Sequence, residues 1–226
     1  MRPYTNGNPK ALLPVLGRPF VDWQLRRLAA NGIDRLTLCI GYGGDALQSY
    51  VGDGSRYGMT IRWVSEGDDL LGTGGAIRLA HEVGALENVF FVLYGDSYLP
   101  VDMQRVAGAW QTSGLPALMT VMRNDGRWDR SNAVYASGRV ILYEKGGAEA
   151  QRHDMHWIDY GLSVLTRETI AECVPRGAVV DLADVMKSLS LGGRLAGLEV
   201  SERFYEVGSF AGLMQFEDYL KKAEPR

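Results

Sequence analysis

The spacing of apolar positions along the chain changes character near its middle. Phe20 to Asn31 carries apolar residues at helical spacing and stops before Gly32, which predicts a helix. Leu36–Ile40 reads as a strand, Asp45–Val51 as a short helix and Thr60–Val64 as a strand. Thr73–His81 reads as a helix entered through glycines, and Met103–Thr112 as another. Val89–Tyr94 is a continuous apolar run of strand length, which predicts burial on both faces. Strands separated by helices of this length imply βαβ units and a parallel sheet. Beyond that point strands crowd together: Ala117–Met122, Asn132–Ala136, Val140–Tyr143 and Ile158–Leu165. Helices follow at Arg167–Cys173 and Leu182–Leu189, then short strands at Leu195–Val200 and Phe204–Val207. Ser209 is placed to cap a last helix reaching about Lys222. The expected fold is α/β, a Rossmann-like doubly wound half (1–115) followed by a mixed-sheet half (116–226), in one domain without a linker.

Composition narrows the class. The 226 residues, 46% hydrophobic and 23% charged, suit an ordinary globular domain. The 24 Lys and Arg against 27 Asp and Glu give a net charge of −3, and no basic excess argues for a nucleic-acid partner or an acidic membrane surface. No apolar run is long enough to span a bilayer and no signal peptide is visible, so the cytoplasm is the expected location. Cys39 and Cys173 are too few for a disulfide framework, and Cys39, inside an apolar strand, is expected to be a buried thiol.

Several polar residues sit where ligands gather in α/β proteins. Asp96 follows the Val89 strand and Gly95, and ligands collect at the carboxyl ends of such strands. A turn or cap aspartate is the plainer alternative. Glu206 stands at another strand end, where a solvated glutamate would be ordinary. Lys10 follows Pro9 and precedes an apolar run, so its base is held while its ammonium offers a point charge for phosphate. Glu144 and Lys145 end the Val140 strand and could be no more than a solvated pair. Asp159 lies inside the apolar run Trp157–Ser163, which Gly161 interrupts. An unpaired charge there is costly, so Asp159 either faces a ligand or pairs with Arg or Lys. Leu71-Gly72-Thr73-Gly74-Gly75 could let a flat ring approach the backbone, or could be plain turn residues. His153 and His156 lack a second ligand pair and carry no metal expectation.

Taken in order, these segments resemble the sugar-phosphate nucleotidyltransferases, the enzymes that make NDP-sugars. Arg2-Pro3-Tyr4-Thr5 and Pro9-Lys10-Ala11-Leu12-Leu13-Pro14-Val15 resemble that family's R-P-x-T and P-K-x-L-L-P-V segments. Tyr94-Gly95-Asp96-Ser97 is similar to its metal motif, Glu144-Lys145 to its sugar-phosphate pair, and Glu206-Val207-Gly208-Ser209 to its late D-x-G-[ST] segment, with Glu for the commoner Asp. The overall flavour is that of the mannose- or heptose-1-phosphate guanylyltransferases, with the muramate 1-phosphate uridylyltransferases close behind.

The resemblance implies transfer of a nucleotidyl group from an NTP, GTP before UTP, to a sugar 1-phosphate, with release of pyrophosphate. It implies Mg²⁺ on Asp96 and Glu206, and Lys10 on the NTP phosphates. Lys145 would take the sugar phosphate, with Glu144, Asp159 and Gly161 at the sugar. Glu66, Thr73, Gly74 and Gly75 would lie at the base. Relatives supply nucleotide sugars for cell-envelope polysaccharide. The family's first strand and G-G-x-G-T-R loop are not among these residues. The fold is therefore expected to lack that strand, leaving open edges on the Leu36 and Val89 strands. Met1 is expected to be an internal methionine, and the chain as written to turn over poorly. A catalytically impaired nucleotide-sugar binder is an alternative. A glycosyltransferase of related fold is another, but the D-x-D it would need is Asp96-Ser97-Tyr98 here. The glycines at 72–75 lack the position and spacing of a dinucleotide-binding loop.

Overall fold

The computed structural model describes residues 9–41, 43–67, 69–146 and 155–223. Arg2–Thr5 and His153 lie outside them. A single 3₁₀ turn at Lys10–Leu12 leads into a tight hairpin of β1 (Pro14–Val15) and β2 (Arg18–Pro19). Then come α1 (Phe20–Ala30), β3 (Arg35–Ile40), α2 (Gly44–Val51), β4 (Thr60–Ser65), α3 (Gly72–Glu82), β5 (Val89–Leu93), β6 (Ser97–Tyr98) and α4 (Met103–Ser113). The second half contributes β7 (Ala117–Arg123), β8 (Ala133–Ala136), β9 (Arg139–Tyr143), β10 (Trp157–Thr166), α5 (Arg167–Cys173), α6 (Leu182–Leu191), β11 (Leu195–Val200), β12 (Tyr205–Glu206) and α7 (Phe210–Ala223). The elements read from periodicity are all present, within a residue or two at most ends. No described helix is long and apolar enough to cross a membrane.

The chain divides into two compact units interleaved along the sequence. The first holds the described residues up to Ser65, with Tyr94–Pro100 and the stretch from Arg203 onward. Its core is Val15, Phe20, Val207, Phe216 and Leu220, flanked by Trp23, Tyr98, Tyr205 and Tyr219. The α1 helix faces inward with Phe20, Val21, Leu25 and Leu28. Asp22, also buried there, accepts hydrogen bonds from the hydroxyls of Tyr50 and Tyr57 and meets the Arg56 guanidinium at 3.5 Å. Burial beside that carboxylate pushes the Tyr57 hydroxyl well above the usual phenol range. Here β3 and β4 pair in parallel, and β12 pairs antiparallel with β6.

The second unit holds Glu66–Leu93 and Val101–Glu202. Its sheet runs β5-β10-β7-β11-β9-β8, with only the β7–β11 pair parallel among its main pairings. The sheet bends back on itself, since Trp157 of β10 also pairs with Ala133 of β8. Between Asp159 and Ser163 the β10–β7 register slips, and Gly161 takes φ +95° inside that bulge.

Three expectations need correction. The first-half strands do not make one parallel sheet: β3 pairs only with β4 among the described residues, and β5 joins β10 antiparallel. Nor is the Val89 strand buried on both faces, because with a partner on one edge only its residues stay partly exposed. For the same reason Cys39, on the two-stranded β3–β4 sheet, is exposed rather than buried.

Candidate active site

In the first unit, two residues far apart in sequence, Lys10 and Asp96, meet through their side chains, and the backbone of a third, Glu206, runs alongside. The β6–β12 ladder sets Glu206 opposite Ser97, and the Val207 N–H donates to the Asp96 carbonyl at 3.0 Å. Asp96 and Glu206 therefore belong to neighbouring backbone segments. Lys10, on the 3₁₀ turn after Pro9, places its Nζ 3.5 Å from Asp96 Oδ2. With side chains 47% and 38% exposed, this pair is weak enough for either partner to turn to a ligand.

The Asp96 turn is fastened from behind by a residue that periodicity alone did not flag. Gln24 lies buried on the apolar face of α1, where its Nε2 donates to the carbonyls of Tyr94 (3.3 Å) and Ser97 (2.7 Å). Its signal in the sequence is an amide on the same stripe as Phe20, Leu25 and Leu28. Replacing Gln24 with Leu leaves two carbonyls without that donor, a cost of about 1–3 kcal/mol. The expected result is faster hydrogen exchange at residues 94–98 in mass spectrometry, with α2 and β3 unchanged. Gly212 supports the other segment. A Cβ built on it would collide with the Glu206 carbonyl, so only glycine lets the start of α7 lie this close. Ser209 caps that helix as expected, accepting from the Gly212 N–H at 3.0 Å.

In the second unit, the residues expected around sugar and base converge on an aspartate that the sequence reading passed over. Asp181 is the N-cap of α6, its Oδ1 accepting from the Ala183 N–H (3.0 Å) and the Thr73 hydroxyl (3.0 Å). Its Oδ2 lies 3.6 Å from Lys145 Nζ. Partial burial raises the Asp181 carboxyl, but the bonds from Ala183 and Thr73 and the Lys145 charge outweigh it and hold the group below the usual carboxylate range. The available signal was its place directly before a helical pattern, where aspartate commonly caps.

Asp159 Oδ1 accepts from the Gly161 N–H at 2.9 Å, and its Oδ2 lies 3.4 Å from the Tyr143 hydroxyl. Burial raises its carboxyl despite these bonds and despite the attraction of Lys145. Gly161 is thus explained by the bulge that Asp159 closes. Asn132 joins both strands: its Oδ1 accepts from the Asp159 N–H (2.8 Å) and its carbonyl from the Glu144 N–H (2.9 Å). The Glu144 carboxylate is paired with the Lys187 ammonium.

The glycine segment at the start of α3 packs against residues 178–182. The N–H groups of Gly74 and Gly75 donate to the Val180 carbonyl at 2.8 and 3.2 Å, which satisfies donors that a helix start leaves open. The Leu182 N–H donates to the Thr73 hydroxyl at 2.8 Å. A Cβ on Gly72 would lie 2.6 Å from the Val180 oxygen, and one on Gly75 2.6 Å from that of Ala178. This packing accounts for the glycines without a ligand. Glu66 secures the preceding loop by accepting from the Leu71 N–H at 2.7 Å.

The fold is a mixed α/β one, with an exposed lysine–carboxylate pair in each unit. Comparison with known proteins identifies the family. The model of the MobA-like NTP transferase domain matches residues 4–182, and the chain belongs to this family. It is 26% identical over 217 residues to an N-acetylmuramate alpha-1-phosphate uridylyltransferase of Neisseria meningitidis, covering 95% of this chain and 90% of that protein. It is 37% identical over 107 residues to a mannose-1-phosphate guanylyltransferase of Mycobacterium tuberculosis, covering 47% of this chain and 29% of that one. Several other curated relatives are likewise matched over half of their length or less. The fold superposes on an inositol-1-phosphate CTP transferase from T. maritima with a TM-score of 0.74 at 18% identity, over 100% of this chain and 93% of the other.

Proposed function

We propose that this protein is a sugar-1-phosphate nucleotidyltransferase, acting in the cytoplasm with GTP, or next UTP, as donor. The observation that carries the proposal is the Lys10–Asp96 pair with the Glu206 segment laddered beside it. An oxygen of the sugar 1-phosphate would attack the α-phosphorus of the NTP, forming one P–O bond as the bond to the β-phosphate oxygen breaks and pyrophosphate leaves. Such transfers rely on positioning and charge neutralisation more than on covalent catalysis. Lys10 would exchange Asp96 for the NTP phosphates and neutralise the transferring group. In the second unit Lys145 would hold the sugar phosphate, while Asp159, Gly161 and Glu144 face the sugar. Glu66 and Thr73–Gly75 would shape the base site.

The donor set suits Mg²⁺. No group of three or more His, Cys, Asp or Glu placed to hold a metal occurs among the described residues, and Mg²⁺ is commonly bound by one or two carboxylates together with phosphates and water. Asp96 and Glu206 would hold it, and it would supply positive charge against the phosphate oxygens.

The test is pyrophosphate release from GTP, UTP, CTP and dTTP with a panel of sugar 1-phosphates, with and without Mg²⁺. The expected result is Mg²⁺-dependent release with one or two pairs, GTP or UTP among them. Thermal stabilisation by these ligands with no product would instead indicate a nucleotide-sugar-binding homologue.

A further inference from the structure

We propose that Asp181 is a built-in competitor for the anion held by Lys145, and so sets which anions that site takes. The inference rests on reading Lys145 as the anion-binding lysine of the second unit.

The two partners of the pair differ in how they are held. Asp181 is anchored, because its Oδ1 caps α6 through the Ala183 N–H and also accepts from the Thr73 hydroxyl. It cannot swing away without opening the helix start and the clasp between Thr73 and Leu182. Lys145 stands on a flexible four-carbon stem just past β9. Its ammonium meets Asp181 Oδ2 at 3.6 Å, with both side chains about half exposed (51% and 49%). A pair of this length and exposure is weak. An incoming phosphate dianion can therefore draw the ammonium off, while the carboxylate remains in place.

Two consequences follow. The anion has to outbid a carboxylate already at the ammonium, so singly charged ions are disfavoured against a phosphate monoester. Asp181 then stays beside the bound phosphate as a fixed negative charge, which limits affinity and favours release. Asp159 also attracts Lys145, but its own oxygens are engaged by the Gly161 N–H and the Tyr143 hydroxyl, whereas Oδ2 of Asp181 lies 3.6 Å from the ammonium.

The substitution Asp181→Asn separates this role from the structural one. It keeps an oxygen for Ala183 and Thr73 and replaces Oδ2 with an amide nitrogen that cannot accept from an ammonium. Asp181→Ser, which retains a capping hydroxyl, serves as a second variant should the first fold poorly. The probe is inorganic phosphate, titrated calorimetrically into the full chain, with chloride and nitrate as singly charged controls. The expected result is about tenfold tighter phosphate binding in either variant, from loss of both the competing pair and the residual repulsion. Binding of the singly charged ions should also become measurable. In a Lys145→Ala background, where no competing pair is left to lose, the same change should tighten phosphate binding by clearly less than with Lys145 present.

A twofold or smaller change with Lys145 present, weaker binding in the variants, or no phosphate binding by any form overturns the proposal. A merely structural Asp181 would weaken binding and lower the melting temperature instead. The nucleotidyltransferase reading is judged separately: tighter phosphate binding in the variants alongside a wild-type chain that releases no pyrophosphate would keep the competitor and discard the proposed reaction.

Discussion

Asp96→Asn is expected to lower pyrophosphate release by about three orders of magnitude or more while the protein stays folded. The two effects separate because Asp96 would serve the proposed chemistry through atoms other than those that serve the fold. Its carbonyl accepts from the Val207 N–H, and the substitution leaves that bond intact. Among the described residues its carboxylate meets only the exposed Lys10 ammonium, at 3.5 Å, an interaction worth at most about 1 kcal/mol. Asparagine keeps the shape but lacks the charge needed to neutralise a divalent cation. The measurements are kcat/KM under saturating Mg²⁺ and a thermal melt of the same preparation. Activity within tenfold of wild type would remove Asp96 from the proposed chemistry. A large fall in melting temperature would mean the loss reflects folding instead.

Gly72→Ala is expected to destabilise the second unit by about 2–4 kcal/mol. Two penalties coincide at this residue. Its φ of +73° lies where side chains are disfavoured, and an added methyl would stand 2.6 Å from the Val180 carbonyl oxygen. That carbonyl takes the N–H groups of Gly74 and Gly75, and Asp181 comes directly after it, so the backbone cannot move aside without loosening the start of α3 and the Thr73–Asp181 bond. For a chain of this length the expected fall in melting temperature is roughly 5–15 °C. A change below about 2 °C would show that the segment relaxes freely and that the clasp is weaker than its distances indicate.

Much of this architecture is legible in the sequence because each element bears its own signal. The stripe on α1, the glycine entry to α3 and the Ser209 cap are local features, and the structure reproduces them. What sequence could not supply was which strand lies beside which. The Val89 run reads as fully buried because it is uniformly apolar, yet burial depends on neighbours, and β5 has a partner strand only at β10 among the described residues. Cys39 misleads in the same way.

The candidate site divides along the same line. Lys10, Asp96 and Glu206 could be named from motif order, and the fold sets them on adjoining segments. Asp181, Gln24 and Gly212 could not, since each acts on a residue remote in sequence. Gln24 reaches back to the Asp96 turn, Asp181 to Thr73 and Lys145, and Gly212 makes room for a carbonyl. Such roles appear only once long-range pairing is known. The glycines at 72–75 make the opposite point. Their motif suggested contact with a base, but their packing against Val180 and Ala178 already requires them.

The interleaving of the two units bears on the order in which the protein is made. Every residue of the second unit precedes Arg203 in the chain and so is made before the stretch that closes the first unit. The second unit, with Lys145 and Asp181, thus needs nothing encoded after Glu202. The first unit must wait, because β12 and α7 complete its core and β6 has its ladder partner in β12. The segment that brings Glu206 beside Asp96 is thus made only after every residue of the second unit, so the acidic half of the candidate site is assembled from pieces more than 100 residues apart in the order of synthesis.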